Sequence, residues 1–279
     1  MSNAQKKIVI LGAPQGESED PASGTPGAAG SSDNGCAVSE DDISFGVLAF
    51  RSSAEALHVR VAGVWATLLP SGALFIEAER TLVCGDLHLE KGSSYARRGQ
   101  LLPPYDTRET LRRLAGDAAR ADAETVVLLG DTLHDREANG RIAPEDAETL
   151  GSIALGRTLL WIVGNHDPQG PGTLPGQTID ELKIGPLILR HEPQPGPQRG
   201  EVAGHLHPCA RVVASARSVR RRCFITDGER LILPAYGAYA GGLSVRDAAF
   251  AGLFSRPPLV GAIGSRRVHA VKFAAVAAD

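Results

Sequence analysis

The run Leu160-Trp161-Ile162-Val163 stops at Gly164 and is followed at once by Asn165, His166 and Asp167. An apolar stretch of this length reads as a buried strand, and the glycine places the three polar side chains just beyond its C-terminal end. The same grammar recurs four times. Leu82-Val83-Cys84 precedes Gly85-Asp86-Leu87-His88; Val126-Val127-Leu128-Leu129 precedes Gly130-Asp131; Leu187-Ile188-Leu189 precedes Arg190-His191; and Glu201-Val202-Ala203 precedes Gly204-His205-Leu206-His207. Five strands would thus carry Asp, Asn and His side chains at one edge, where open α/β sheets bind their ligands.

The segments between these strands supply the connections. Leu111, Leu114 and Ala118 have helical spacing, with Asp106 or Thr107 available as N-cap, and predict a crossover helix between the Asp86 and Asp131 strands. A second helix, from about Pro144 to Leu155, would cross from Asp131 to Asn165, so the three strands run parallel with right-handed connections. Upstream, Leu57–Val61, Val64–Leu69 and Ala73–Ile76 read as antiparallel strands. Downstream, Ala210–Val213 and Cys223–Leu233, with an Asp227-Gly228 hairpin signal, would complete a second sheet. Residues 13–44 are dominated by Gly, Ser, Pro, Ala, Asp and Glu and cannot bury enough apolar surface to offset chain entropy, so residues 1–44 are expected to form a low-complexity, disordered tail before a domain at 45–279.

Composition excludes several classes. No stretch of about 18–20 apolar residues exists, so no membrane span is expected. Four cysteines without a C-x-x-C pair suggest no disulfide framework, which points to a reduced, cytoplasmic setting. A net charge of -3 means that any nucleic-acid contact must rest on a local patch rather than on bulk charge.

The strand-end residues define the chemistry. Two carboxylates (Asp86, Asp131), four imidazoles (His88, His191, His205, His207) and the carboxamide of Asn165 form a mixed oxygen and nitrogen donor set without thiolate. Seven groups are too many for one tetrahedral zinc and suit two divalent ions with open water positions. Two ions about 3.5–4 Å apart activate a water and clamp phosphate oxygens in phosphoryl chemistry. Mn²⁺ suits such a set, and Fe and Zn also fit.

The order Asp-x-His, Gly-Asp, Gly-Asn-His-Asp, His, Gly-His-x-His resembles the calcineurin-like metallophosphoesterase superfamily from about residue 45 onward. The resemblance implies a four-layer αββα sandwich of two mixed sheets flanked by helices. It also implies that Asp86, His88 and His207 bind one metal, that Asn165, His191 and His205 bind the other, and that Asp131 bridges them. A hydroxide between the metals would attack phosphorus in line. His166 would contact the scissile phosphate or protonate the leaving oxygen, with Asp167 as its orienting partner. One departure stands out: the family's second motif often continues Gly-Asp-x-x-Asp, whereas His134 holds the fifth place here and Asp135 follows it.

Flanking stretches narrow the resemblance to the bacterial ligase-associated DNA-damage-response endonuclease branch, the PdeM branch. They are Leu87–Gly92, Arg97-Arg98-Gly99 with Leu102–Thr107, Arg190–Pro193 and Leu233–Leu243. By that likeness the substrate is a phosphodiester in DNA or RNA, cut in DNA repair beside a DNA ligase, an exonuclease and a helicase. Lys91, Arg97 and Arg98 could hold a phosphate or form a merely solvated loop, and Tyr236 and Tyr239 could stack a base or sugar or fill the core beneath a tight turn. Two other functions are compatible with the motifs: a phosphoesterase acting on nucleotides or other small molecules, and a non-catalytic scaffold. The scaffold would be expected to have lost ligands or His166, and all are present.

Overall fold

In the computed structural model, residues 7–10, 50–52, 55–214 and 217–278 are described. Two mixed β-sheets pack face to face, as the family resemblance implies. The first runs in chain order: Phe50–Ser52, Leu57–Val61, Val64–Leu68, Leu74–Ile76, Thr81–Cys84, Thr125–Leu129, Thr158–Ile162 and Gln177–Ile179. Its first half is an antiparallel meander; from Thr81–Cys84 onward the strands pair parallel. The helix α1 (Lys91–Arg97) and the helix α2 (Asp106–Arg120) lie between the strands bearing Asp86 and Asp131, and the helix α3 (Pro144–Ala154) between those bearing Asp131 and Asn165.

α2 and α3 form where their apolar spacing predicts. Leu111, Leu114 and Ala118 of α2 and Leu150 and Ile153 of α3 are buried against Leu82, Val126, Leu128 and Trp161 of the first sheet. Strands covered by helices on one face and a sheet on the other are apolar throughout, which is why they read as continuous runs. α1 was not expected, because Lys91–Arg97 reads as a polar loop. Its N-terminal end is fixed from α2: Asp106 Oδ2 accepts from Gly92 N at 2.9 Å, and Thr107 Oγ1 accepts from Glu90 N at 2.8 Å. Asp106 and Thr107 therefore brace α1 instead of capping α2, whose N-cap position is Tyr105.

The second sheet sets Glu181–Ile184, Leu187–Arg190 and Glu201–Ala203 beside Leu231–Ile232, Arg217–Thr226 and Pro208–Ala214. Leu187–Arg190 and Glu201–Ala203 pair parallel, which brings His191 and His205 to the same edge. The Asp227-Gly228 turn joins antiparallel strands as predicted. Lys7–Ile10, assigned to the tail by composition, instead lie parallel along Glu181–Ile184; the rest of the 1–44 stretch lies outside the described residues. Leu57, Leu68, Val83, Leu189, Val202 and Phe224 fill the space between the sheets. On the outer face of the second sheet a smaller cluster containing Val245, Phe250 and Leu253 is covered by short 3₁₀ turns at Ala248–Phe250 and Phe273–Ala275 rather than by α-helices. No helix among the described residues is long and apolar enough to cross a membrane.

Candidate metal centre

All five strand-end motifs converge where the parallel strands of both sheets terminate. Asp86, His88 and His207 form one group whose donor atoms lie within 4.8 Å of one another, and Asp131, His191 and His205 form another. In the first, His207 Nε2 is 3.2 Å from Asp86 Oδ1 and 3.3 Å from His88 Nε2. In the second, His191 Nε2 lies 3.0 Å from Asn165 Oδ1, 3.2 Å from His205 Nδ1 and 3.4 Å from Asp131 Oδ2.

Backbone strain and glycine placement make this convergence possible. Asp86, His88, Asp131, His205 and His207 all have positive φ, between 45° and 66°. Such conformations cost about 1–3 kcal/mol each and persist only where surrounding structure enforces them. Here cross-ties enforce them: Asp86 N donates to Gly130 O, His88 N to Asp131 O and His205 N to Asp86 Oδ2 at 3.0 Å. The glycines that punctuate the motifs leave room for donors from other strands. A Cβ at Gly130 would sit 2.2 Å from His191 Nδ1, and one at Gly204 would sit 2.5 Å from Asp86 Oδ2.

The electrostatics fit a divalent cation. Burial pulls His88 down to about 3, with the facing His207 adding to it against the pull of Asp86. Its ring is therefore neutral at pH 7, as a ligand must be, and its buried Nδ1 has no hydrogen-bond partner. Burial also opposes protonation of His191, but the neighbouring Asp131 and Asp86 outweigh it and lift the imidazole to about 9. The raised His191 reports the negative potential of the two carboxylates, which a cation in the pocket would also meet. His191 Nδ1 donates to Leu129 O at 3.1 Å, which turns Nε2 toward the donor cluster.

His166 stands beside the donors with its Nε2 3.9 Å from Asp131 Oδ2. Its Nδ1 donates to the His134 carbonyl at 2.7 Å, and because that oxygen can only accept, the proton on Nδ1 is fixed. Asp167 does not orient His166, contrary to expectation. Its buried carboxylate accepts from Thr132 N, Leu133 N and Gly164 N at 2.8–3.0 Å, stapling the loop after Asp131 to the loop after Ile162. Three backbone donors pointing inward outcompete the half-exposed imidazole.

His134 joins the site: its ring stacks on His166 at 5.7 Å and meets His88 edge-on. Its position is held from behind by Arg141, which grips both oxygens of Asp135, donates to Ser93 Oγ and reaches the Glu90 carbonyl. No sequence signal marked Arg141. Lys91 Nζ lies 6.0 Å over the Tyr95 ring, and Arg97 is engaged by Glu137. Arg98 is exposed on a cavity of about 420 Å³ that Arg136, also missed in the sequence, helps to line. Tyr236 cannot stack a base. It is fully buried, its hydroxyl donates to Asp117 at 2.8 Å, and the backbone of Tyr236 and Gly237 donates to Gly85 O and Asp86 O. The stretch braces the Asp86 loop from beneath. Tyr239, half-buried, donates to Pro103 O at 2.8 Å and joins the loops around residues 103 and 239.

Two facing sheets with His, Asp and Asn at their common edge define a hydrolase of phosphate esters that uses divalent metals. The chain belongs to the calcineurin-like phosphoesterase family, whose model matches residues 79–230. Among solved structures, the crystal structure of Pseudomonas putida nuclease MPE is similar, with 28% identity, 78% of this chain and 100% of that chain covered, and a TM-score of 0.60. Yfce, a phosphoesterase from E. coli, aligns at 15% identity over 69% of this chain and 98% of that one, with a TM-score of 0.37 that carries no weight. No curated protein matches the chain.

Proposed function

We propose that this chain is a dinuclear-metal-dependent phosphodiesterase that cuts single linkages within nucleic acid. The observation that carries the reading is the convergence of seven donor groups with His166 at their margin. Similarity to a protein described as a nuclease favours nucleic acid as the substrate. Asp86, His88 and His207 would hold one ion and Asn165, His191 and His205 the other, with Asp131 reaching both. Two divalent ions, with Mn²⁺ the best suited, would supply water activation and charge neutralisation on the phosphate oxygens.

The remaining work falls to the protein. His166 commits its Nδ1 proton to the His134 carbonyl, so it is as the imidazolium, with a second proton on Nε2, that it would donate to the scissile phosphate or protonate the leaving oxygen. Asp167 keeps Asp131 and His166 in register by holding the two loops together. The cation-lined cavity at Arg98 and Arg136 is placed to take a neighbouring phosphate. DNA repair beside a ligase, an exonuclease and a helicase is the setting suggested by the flanking motifs of the PdeM branch.

The small-molecule reading remains the alternative, since the same centre hydrolyses whatever ester the rim admits. One assay separates the two: Mn²⁺-dependent cleavage of single-stranded DNA, duplex DNA, RNA and bis-p-nitrophenyl phosphate on one preparation. Strand cleavage whose efficiency falls steeply with salt is expected; hydrolysis of the chromogenic diester alone would favour the small-molecule reading.

A further inference from the structure

One cavity begins one residue beyond His134 and another is walled by donor residues, and their charges are opposite. The first, about 420 Å³, adjoins His134 through Asp135 and is lined by Ser94, Arg97, Arg98, Asp135, Arg136 and Glu137. Its carboxylates are already engaged, Asp135 by Arg141 and Glu137 by Arg97. Arg98 and Arg136 are exposed and have no carboxylate partner among the described residues.

The second cavity, about 510 Å³, is walled by Asn165 and His191 and carries Asp180, Glu181 and Glu192. Its guanidinium, Arg190, is divided between Glu181 at 2.9 Å and Glu201 at 3.4 Å. Asp180 and Glu192 are exposed and lack an ion-pair partner among the described residues. A phosphate on the first flank meets guanidinium donors that suit its oxygens. A phosphate on the second meets exposed carboxylates that repel it, most strongly at low salt.

We infer that the centre grips a nucleic-acid strand by its phosphates on the Arg98–Arg136 flank alone, while Asp180 and Glu192 oppose phosphates on the Asn165 flank and so set the direction in which the strand lies. The inference rests on the nucleic-acid reading above. A strand carries the same charge on both sides of the cut linkage, so the flanks decide that one side is held and the other turned to solvent, and its direction follows from the leaving oxygen facing His166, beside His134 and the Arg98–Arg136 flank. Neither Arg136 nor the Asp180–Glu192 pair has a part in holding the metals.

The test uses single-stranded DNA oligonucleotides with one central phosphodiester and neutral methylphosphonates replacing the linkages on the 5′ side, the 3′ side, both or neither. Cleavage at the centre is followed with Mn²⁺. Neutralising one flank should lower kcat/KM about tenfold, and neutralising the other should leave it unchanged or raise it. The Arg98→Ala, Arg136→Ala double variant should abolish the loss, and the Asp180→Asn, Glu192→Gln double variant should remove the opposing effect. Metal content and Tm of each variant guard against misfolding. Equal responses on both flanks, or an asymmetry that survives both double variants, would overturn the inference while leaving the nuclease reading intact. Uncut oligonucleotides together with hydrolysis of bis-p-nitrophenyl phosphate would defeat the nuclease reading and the inference with it.

Discussion

The donor cluster around Asp131 can be set beside the ion cluster around Arg230, since both bury charge at the second sheet. Arg230 is 1% exposed: Nε is ion-paired with Glu201 Oε2 at 2.7 Å without an aligned hydrogen bond, while Nη1 donates to Leu253 O and Nη2 to Gln194 O. Nearby, Asp227 accepts from Glu229 N, Arg230 N, Ser255 N and Ser255 Oγ. That cluster closes on itself. Around Asp131 the imidazole nitrogens face one another, His88 Nδ1 has no partner, and five donors stand in left-handed backbone conformations. A cluster whose opposite charges are paired anchors a fold, whereas strained donors that aim at one another are organised for something brought in from outside.

The contrast is sharpest where one residue is removed from each cluster. Asp131→Ala should abolish retention of both ions and lower phosphodiester hydrolysis by at least about 10³-fold. Metal analysis of purified protein with an activity assay checks it, and a variant that keeps two ions per chain would refute the bridging role proposed for Asp131. Arg230→Met should act in the opposite sense, costing about 3 kcal/mol of stability because buried Glu201 loses its nearer cation and keeps only Arg190 at 3.4 Å and the Gln194 N–H. Urea unfolding measures that loss, and activity per folded molecule should be retained. If Arg230→Met instead removed metal with little loss of stability, the two clusters would not be independent.

A subtler comparison concerns residues that serve the centre from a distance. His166→Ala should leave both metals in place and lower turnover about 10²-fold, within the range for a lost proton donor. Arg141→Ala should lower turnover about tenfold by releasing Asp135, hence the His134 carbonyl that holds His166. Combining the two separates positioning from general weakening, because Arg141→Ala should then cost stability but no further activity. A further tenfold fall in the His166→Ala background would show that Arg141 acts by another route.

What the sequence disclosed follows from how each feature is built. The strand-end motifs were legible because parallel strands buried on both faces leave uninterrupted apolar runs, and the polar residues that follow have no part in those runs. The helices α2 and α3 were legible through their periodicity. α1 was not, because its stability comes from Asp106 and Thr107 of another helix and not from its own seven residues. Asp167 was misread for a similar reason: adjacency to His166 suggested a pair, while the carboxylate serves backbone donors about 34 positions away. Tyr236 was ambiguous among glycines, and only the Asp117 acceptor beneath the turn decides that it belongs to the core. Arg230 and Glu201 gave no signal, since charges inside strand patterns ordinarily read as solvent-facing.

The Asp135–Arg141 pair lies between the two kinds of cluster, about a third exposed at the carboxylate and directed at the site. Burial pushes Asp135 upward, but hydrogen bonds from Arg141, from Ser94 and from Glu137 N–H prevail and hold it at about 2, below its ordinary 3.8. The folded-state value is therefore below the unfolded one. Its contribution to stability is complete above about pH 4 and fades as pH falls toward 2. After allowance for solvent screening, it amounts to about 1 kcal/mol at neutral pH. Asp135→Asn should thus be about 1 kcal/mol less stable than the parent at pH 7 in urea unfolding, with the gap narrowing below pH 4. A gap independent of pH would mean that Asp135 holds its loop by shape and hydrogen bonding alone, which would place it with the closed Arg230 cluster and leave its charge without a part in supporting His166.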